Sequence, residues 1–287
     1  MSLEALHFRD ATIQRIALGT WGISGDWKNG ITIDQSKHLV KTAVEQGVNL
    51  IDTAAVYGSG KMETALGELG LPKGMLFCTK IPAKEKPPDG EPKNMDAYYD
   101  PTHIRNFIEQ SLVRLRRESL DIVLLHNWHP SWSKDADFFL KPLFKEREKG
   151  NVRFVGISLP NGYSHSILAL IEAGVDVIQA PFNSMETWAR EGVFPYSQQV
   201  LVMARSLLLQ GILSQRPGEK LKSLLPADYR FQKYHDQEHD LDEGYAISTV
   251  NQLLLETANK FPNIVLVVGM TTEKQISENT SLLKRDE

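Results

Sequence analysis

Several absences narrow the possibilities at the outset. The 287-residue chain has one cysteine, Cys78, so no intrachain disulfide can form. A reducing, cytoplasmic setting is the expectation from that usage. No apolar run approaches the roughly 18 residues of a membrane span, and the opening MSLEALHFRD lacks the basic-then-apolar order of a secretory signal. Neither charge sign dominates: 32 Lys and Arg stand against 36 Asp and Glu, a net charge of -4. Such a balance carries no footprint for nucleic acid or an anionic membrane. The histidines assemble no metal-ligand pattern. Of His129, His165, His235 and His239 only the last two stand four apart, in a polar stretch read as surface loop.

What is present is an ordinary globular composition, 41% hydrophobic, enough for a sizeable core. Eight short apolar runs recur along the chain: RIALGTWG, VNLIDT, MLFCTKI, LDIVLLH, NVRFVGIS, VDVIQA, QVLVMARS and NIVLVVG. They are rich in Val, Ile and Leu without clean alternation, as strands buried on both faces of a parallel sheet are. Helical patterns separate them. Thr32 with Gln35 forms a candidate capping box, and Gly47 supplies a left-handed stop. Asp100-Pro101 reads as an N-cap with Pro at the first helical position, and Ile104, Phe107, Ile108, Leu112 and Leu115 follow at helical spacing. Further helices are expected around Ala246–Phe261 and Gln275–Leu283.

Alternating strands and helices suit a closed (β/α)8 barrel or an open doubly wound sheet. No G-x-G-x-x-G follows a predicted strand, and the length fits one barrel over residues 1–287, so a (β/α)8 TIM barrel is the predicted fold. LHFRDATIQRI reads as an N-terminal β-hairpin turning at Asp10 and plugging the barrel bottom. Two long polar insertions, residues 82–100 and 214–244, follow predicted strands and are expected to overhang the C-terminal face.

Ionisable groups close three consecutive strands: Asp52 the second, Lys80 the third, His126 the fourth. Tyr57 follows in the loop after the second. Each could be a structural pair or a satisfied core group. Together they bring an acid, an amine, an imidazole and a phenol to one barrel mouth, where a buried unpaired charge would cost several kcal/mol, roughly. A phenol with a pKa of about 10 is a poor acid at neutral pH. A nearby ammonium eases its proton loss, a carboxylate holds the ammonium, and an imidazole can orient a carbonyl oxygen. The set is a proton donor aimed at a developing alkoxide. It supplies no electrons, for which a nicotinamide cofactor is the usual source.

These residues resemble the aldo-keto reductase family. NLIDTAAVYGSGKMETALGEL is similar to its Asp-Thr-Ala, Tyr-Gly signature; FCTKI resembles its lysine strand and LDIVLLHNWHP its histidine strand. GNVRFVGIS, VIQAPFN, ARSLLLQGILS and VVGMTTEKQISEN match its cofactor segments in order. The resemblance implies reduction of an aldehyde, ketone or sugar carbonyl, or oxidation of the alcohol, with Tyr57 as general acid/base. Lys80 would lower its pKa, Asp52 would hold Lys80, and His126 would orient the substrate oxygen. Ser158 and Gln179 would hold the carboxamide of NADP(H), with NAD(H) as rival. Ser206 and Leu208 would line its pyrophosphate and ribose, Arg205 would stack on a ring or bind phosphate, and Gly211 would also belong to the cofactor site. Gly269, Thr271, Gln275, Glu278 and Asn279 would reach the far end. Trp21, beside both cofactor and substrate, and Trp128 would wall the substrate pocket.

Three departures stand out. Leu159 occupies the place of the family's usual Asn, Arg205 that of a stacking aromatic, and Leu207 that of a Pro. Lys274 is the sole cation from Gly269 to Asn279, where basic residues commonly grip a 2′-phosphate. Two other readings remain open at this point. One is a cofactor-sensing subunit, with the acidic stretch 236–243 as docking surface. The other is a barrel aldolase using Lys80 as a Schiff-base nucleophile.

Overall fold

A computed structural model describes residues 4–25, 30–85, 87–88, 95–183, 186–208 and 250–283. The predicted hairpin is present as β1 (Leu6–Phe8) and β2 (Ala11–Ile13), antiparallel, turning at Arg9 and Asp10. Eight parallel strands then close a barrel: β3 (Ile16–Gly19), β4 (Leu50–Asp52), β5 (Leu76–Ile81), β6 (Leu120–His126), β7 (Val152–Ser158), β8 (Val177–Pro181), β9 (Leu201–Arg205) and β10 (Ile264–Gly269). Each strand neighbours the next in sequence, and β10 pairs with β3 to complete the ring. Around it lie α1 (Ile33–Glu45), α2 (Lys61–Glu68), α3 (Pro101–Leu115), α4 (Ala136–Glu148), α5 (Leu168–Glu172), α6 (Ala189–Gly192), α7 (Val250–Lys260) and α8 (Glu273–Thr280).

Local chemistry sets the helix ends as expected. The Thr32 hydroxyl accepts from Gln35 N while the Gln35 side chain accepts from Thr32 N, the reciprocal capping box. Asp100 Oδ1 accepts from the backbones of Thr102 and His103, and Pro101 opens α3. The last helix begins two residues earlier than the pattern suggested, because Thr272 caps it by accepting from Gln275 N. Pro142 stands inside α4, where proline normally breaks a helix. Buried Ala136, Leu140 and Leu143 hold that helix on the barrel regardless.

The barrel has two cores. Outward-pointing strand residues pack under the helices. Inward-pointing ones fill the lumen from Leu50, Cys78, Ile122, Leu124, Val177, Met203 and Val267. Leu6, Phe8, Ala11 and Ile13 of the hairpin join this inner cluster, and Phe8 meets Phe154 edge-on at 5.5 Å, so the hairpin does plug the bottom. Charges fasten it: Arg9 pairs with Asp176, and Arg153 Nη2 lies 2.9 Å from Asp10 Oδ2. Asp121 and Asp176, each near a strand start, accept from the neighbouring strands' Phe77 N and Val155 N, both at 2.9 Å. These bonds satisfy donors that the ladder leaves unpaired.

Insertion 82–100 is described in part. It is packed rather than loose at its end: a 3-10 turn at Met95–Ala97 leads to buried Tyr98 and Tyr99, and the Tyr98 ring meets Trp132 at a tilt, 5.3 Å away. Insertion 214–244 lies outside the described residues. Among the described residues no helix is long and apolar enough to cross a membrane, and no cluster of three His, Cys, Asp or Glu could hold a metal ion.

Candidate active site

Alternation along a strand sends every second side chain into the lumen. Starting from lumen residues Ala17, Leu50, Cys78, Leu124, Val177, Met203 and Val267, two steps toward the C-terminal end give Gly19, Asp52, Lys80, His126, Gln179, Arg205 and Gly269. Ser158 joins them, in register with both His126 and Gln179. The top layer of the barrel is thus a ring of polar groups and two glycines above an apolar plug. Seven of the residues singled out in the sequence share it because they share strand parity.

Asp52 and Lys80 form its centre. Asp52 lies opposite Cys78 in the β4–β5 register, and Lys80, two residues further up, reaches back to it. Lys80 Nζ donates to Asp52 Oδ1 and to the Thr53 carbonyl, both at 2.7 Å. Gln179 Nε2 crosses the lumen to donate to the same Asp52 oxygen at 2.8 Å, and Ser158 Oγ donates to Gln179 Oε1 at 3.1 Å. Burial pulls the Lys80 pKa down, but Asp52, Tyr57 and Cys78 together outweigh it and hold the pKa above the ordinary lysine value. Lys80 is therefore a fixed cation, 1% exposed.

Tyr57 reaches the ring through the segment after β4. A 3-10 turn over Tyr57–Gly60 passes through left-handed backbone at Gly58 (φ 58) and Ser59 (φ 55) before α2 begins. Gly58 is sterically required: a Cβ there would stand 2.7 Å from the Ser24 carbonyl oxygen. The turn tips the Tyr57 ring over Lys80, with Nζ 5.4 Å from the ring centroid, and Trp21 leans on it at 5.6 Å. Among the described residues no group hydrogen-bonds the Tyr57 hydroxyl. Lys80 acts on the phenol in the expected direction, yet the net result corrects the expectation of a lowered pKa. Burial pushes the Tyr57 pKa up, Asp52 adds to that, and the cations Lys80 and Arg205 offset only part of it.

Sequence reasoning missed the strap behind this turn. Glu63 on α2 is fully buried; Thr79 Oγ1 donates to its Oε1 at 2.7 Å and Arg114 Nη1 to its Oε2 at 3.2 Å. It ties the helix after Tyr57 to the residue before Lys80. The available signal was a carboxylate beside Met62 and Leu66, on the helix face that should be apolar.

His126 ends β6, where burial first, then Lys80 and Arg205, push its pKa down to about 3. It is neutral at physiological pH, so one ring nitrogen can donate while the other accepts. The Tyr99 hydroxyl donates to the His126 carbonyl and fixes that strand end. Trp128 departs from its expected role. Its side chain is wholly buried, meets Trp132 edge-on at 5.5 Å and donates Nε1–H to Ser133 Oγ at 3.1 Å. It packs beneath the mouth and offers no open face to a ligand in this conformation. Trp21, 45% exposed, does stand open at the rim.

The model of the Aldo/keto reductase family matches residues 15–286, nearly the whole chain. The chain belongs to the aldo/keto reductase family. An aldo-keto reductase, YhdN, of Bacillus subtilis is 27% identical over 250 residues, covering 83% of this chain and 71% of the relative. A protein of Escherichia coli named NADH-specific methylglyoxal reductase is 25% identical, covering 96% of this chain and 91% of that one. Among solved structures, aldo-keto reductase AKR11C1 from Bacillus halodurans in its holo form superposes with a TM-score of 0.72 at 20% identity, covering 100% of this chain and 92% of its own. An aldo/keto reductase from Klebsiella pneumoniae in complex with NADP and acetate gives 0.67 at 19%, covering 99% and 91%.

The cofactor side of an aldo/keto reductase can be tested against these residues. Gly19 and Gly269 face each other in register on β3 and β10, and a Cβ on Gly269 would meet no atom within 4 Å. That side of the mouth is open at Gly269, while Gly19 is buried against Val267. Across the lumen, Ser158 and Gln179 carry hydroxyl and amide groups of the kind that suits a carboxamide, buried here and bonded to each other and to Asp52. These residues fit the nicotinamide end of a dinucleotide. At the far end Gln275 Oε1 accepts from Thr271 N at 2.7 Å, and Asn279 is half-buried on α8. Lys274 Nζ lies 3.7 Å from Glu278 Oε1 and is 82% exposed. Among the described residues there, none offers the bidentate guanidinium that a phosphate dianion prefers. Leu208 is half-buried after β9, next to Ser206. Gly211 lies outside the described residues.

Proposed function

We propose that this chain is a nicotinamide-dependent oxidoreductase that reduces an aldehyde, ketone or sugar carbonyl, or oxidises the corresponding alcohol. The observation that carries this reading is the placement of the Tyr57 ring over the Asp52-paired Lys80 ammonium, at the open end of the barrel. In the reductive direction the Tyr57 hydroxyl gives its proton to the carbonyl oxygen as negative charge develops there. Lys80 favours that transfer by stabilising the phenolate, and Asp52 keeps Lys80 charged. Neutral His126 donates a hydrogen bond that orients the oxygen. Ser158 and Gln179 hold the nicotinamide carboxamide, and Trp21 closes one wall of the substrate site. Bound reduced nicotinamide supplies the hydride.

NADP(H) is the first choice of cofactor, in keeping with the neighbour that holds NADP. NAD(H) is its rival, supported by the relative named NADH-specific and by Lys274, which is exposed and lies near Glu278 at the far end. The aldolase reading is disfavoured, because a Schiff base needs a neutral amine and Asp52 holds Lys80 charged.

The test titrates NADPH and NADH against the fluorescence of the five tryptophans and then measures turnover of an aldehyde panel. Tyr57→Phe is expected to lose turnover by about 10²- to 10⁴-fold while keeping cofactor affinity. Undiminished turnover in that variant would rule the reading out. Lys274→Ala should weaken NADPH binding selectively if the lysine grips the phosphate; unchanged affinity excludes it as a ligand.

A further inference from the structure

Lys80 is fixed by its bonds to Asp52 and the Thr53 carbonyl. Tyr57 has no such anchor on its hydroxyl among the described residues, so its ring lies wherever the turn Tyr57–Gly60 puts it. The far side of that turn is held by Glu63. Alternation along β5 sends Lys80 into the lumen and Thr79, its neighbour, outward under the helices. There the buried Thr79 Oγ1 donates to Glu63 Oε1 at 2.7 Å, and Arg114 Nη1, from α3, donates to Glu63 Oε2 at 3.2 Å. The same guanidinium lies against Gly60, which ends the turn and caps α2 with φ 85; a Cβ there would stand 2.6 Å from its Cζ. The backbone of Arg114 seats the other end of α2, since a Cβ on Gly67 would stand 2.2 Å from the Arg114 carbonyl oxygen. An apolar residue in place of Glu63 could pack α2 as stably, because a buried ion pair often gains nothing over a hydrophobic replacement. What the carboxylate adds is direction. Its two oxygens take donors from two different elements, which fixes α2 in height and rotation against β5.

We propose that Glu63 is a positioning residue: bonded to Thr79 and Arg114, it sets the placement of the Tyr57 ring over Lys80 and so the point at which the phenol delivers its proton. The clamp joins the two partners from behind. One end is the helix that continues from the Tyr57 turn, and the other is the residue next to Lys80 on β5. It touches neither the lumen nor the residues assigned to the cofactor, so it acts on the transfer of the proton and not on binding. This deepens the proposed reaction and rests on it only for the kinetic part of the test.

The test uses the full chain with Thr79→Val, which keeps the branched shape and removes the donor, and Thr79→Ser, which keeps the donor. Amide hydrogen exchange, read by mass spectrometry, follows residues 57–66. The single-turnover rate of aldehyde reduction, the KM and the Kd for NADPH and NADH are measured alongside. Thr79→Val should exchange faster over 57–66 and lose about 10- to 100-fold in the single-turnover rate, as a small misplacement of a reacting group does. Its KM and cofactor Kd should stay at wild type. Thr79→Ser should restore both exchange and rate. Arg114→Gln, at a side chain 27% exposed, should repeat the Thr79→Val pattern. Wild-type exchange and rate in Thr79→Val would overturn the proposal. So would a loss in Thr79→Ser as large as in Thr79→Val. A cofactor affinity that falls in step with the rate would also overturn it, since the barrel would then be loosened as a whole. Should Thr79→Val fail to fold, Arg114→Gln decides the matter on the same readouts. Should the wild type reduce no aldehyde, the reaction reading fails, while exchange over 57–66 still decides whether the clamp holds the Tyr57 turn.

Discussion

Replacing Lys80 by Met gives the sharpest view of how the barrel mouth is held. Methionine fills a similar volume without a charge and leaves Asp52, 7% exposed, without its cationic partner, with Gln179 still donating to it. Breaking one side of a buried ion pair costs about 3–5 kcal/mol, because the remaining charge is neither solvated nor paired. Asp52→Asn should cost a similar amount by stranding Lys80 with the Thr53 carbonyl. Removing both charges in Asp52→Asn/Lys80→Met relieves the stranded partner and should recover stability to within about 1–2 kcal/mol of wild type. The assay is urea unfolding by tryptophan fluorescence at pH 7, compared at equal m-values. At about 2 °C per kcal/mol for a chain of this size, each single variant should also melt roughly 6–10 °C lower. Because the folded Lys80 pKa lies above the unfolded value, its contribution is fully present below about pH 10.4. It declines only as pH rises through the folded value. Single variants that lose less than about 1 kcal/mol, as an exposed pair would, refute the reasoning. A double variant that loses the sum of the two refutes it equally.

Two further outcomes follow from the geometry. His126 has its pKa pushed down to about 3, so below about pH 6.5 the unfolded chain takes up a proton that the native state refuses. Stability should fall from pH 6.5 toward 3, and His126→Asn should make that fall shallower by up to about 1.4 kcal/mol per pH unit; parallel slopes of the urea midpoint would contradict the assignment. Gly58→Ala adds a Cβ 2.7 Å from the Ser24 oxygen at a backbone φ of 58, and should lower stability by about 1–3 kcal/mol. Its thermal melt measures that, and a variant melting with wild type would show that the turn can relax.

Local pattern determined much of this molecule. The eight apolar runs became the eight barrel strands in order, and Thr32, Gln35, Asp100 and Pro101 set the helix ends they were expected to set. These features depend on residues within one or two turns of each other, so the linear chain carries them. Asp52, Lys80 and His126 were visible for a similar reason: a charge at the end of an apolar strand is conspicuous wherever the strand lies. Tertiary structure alone decided the rest. Gln179 meets Asp52 across 127 positions of sequence, and Glu63 joins Thr79 and Arg114 from three separate elements. Trp128, placed by its neighbours at the mouth, is buried because Trp132 and Ser133 close over it. The Tyr57 phenol is harder to ionise than a nearby lysine suggests, because desolvation sums over everything packed around the ring. Periodicity is a property of neighbours in the chain. Burial and electrostatic balance are sums over neighbours in space, and closing the barrel is what supplies them.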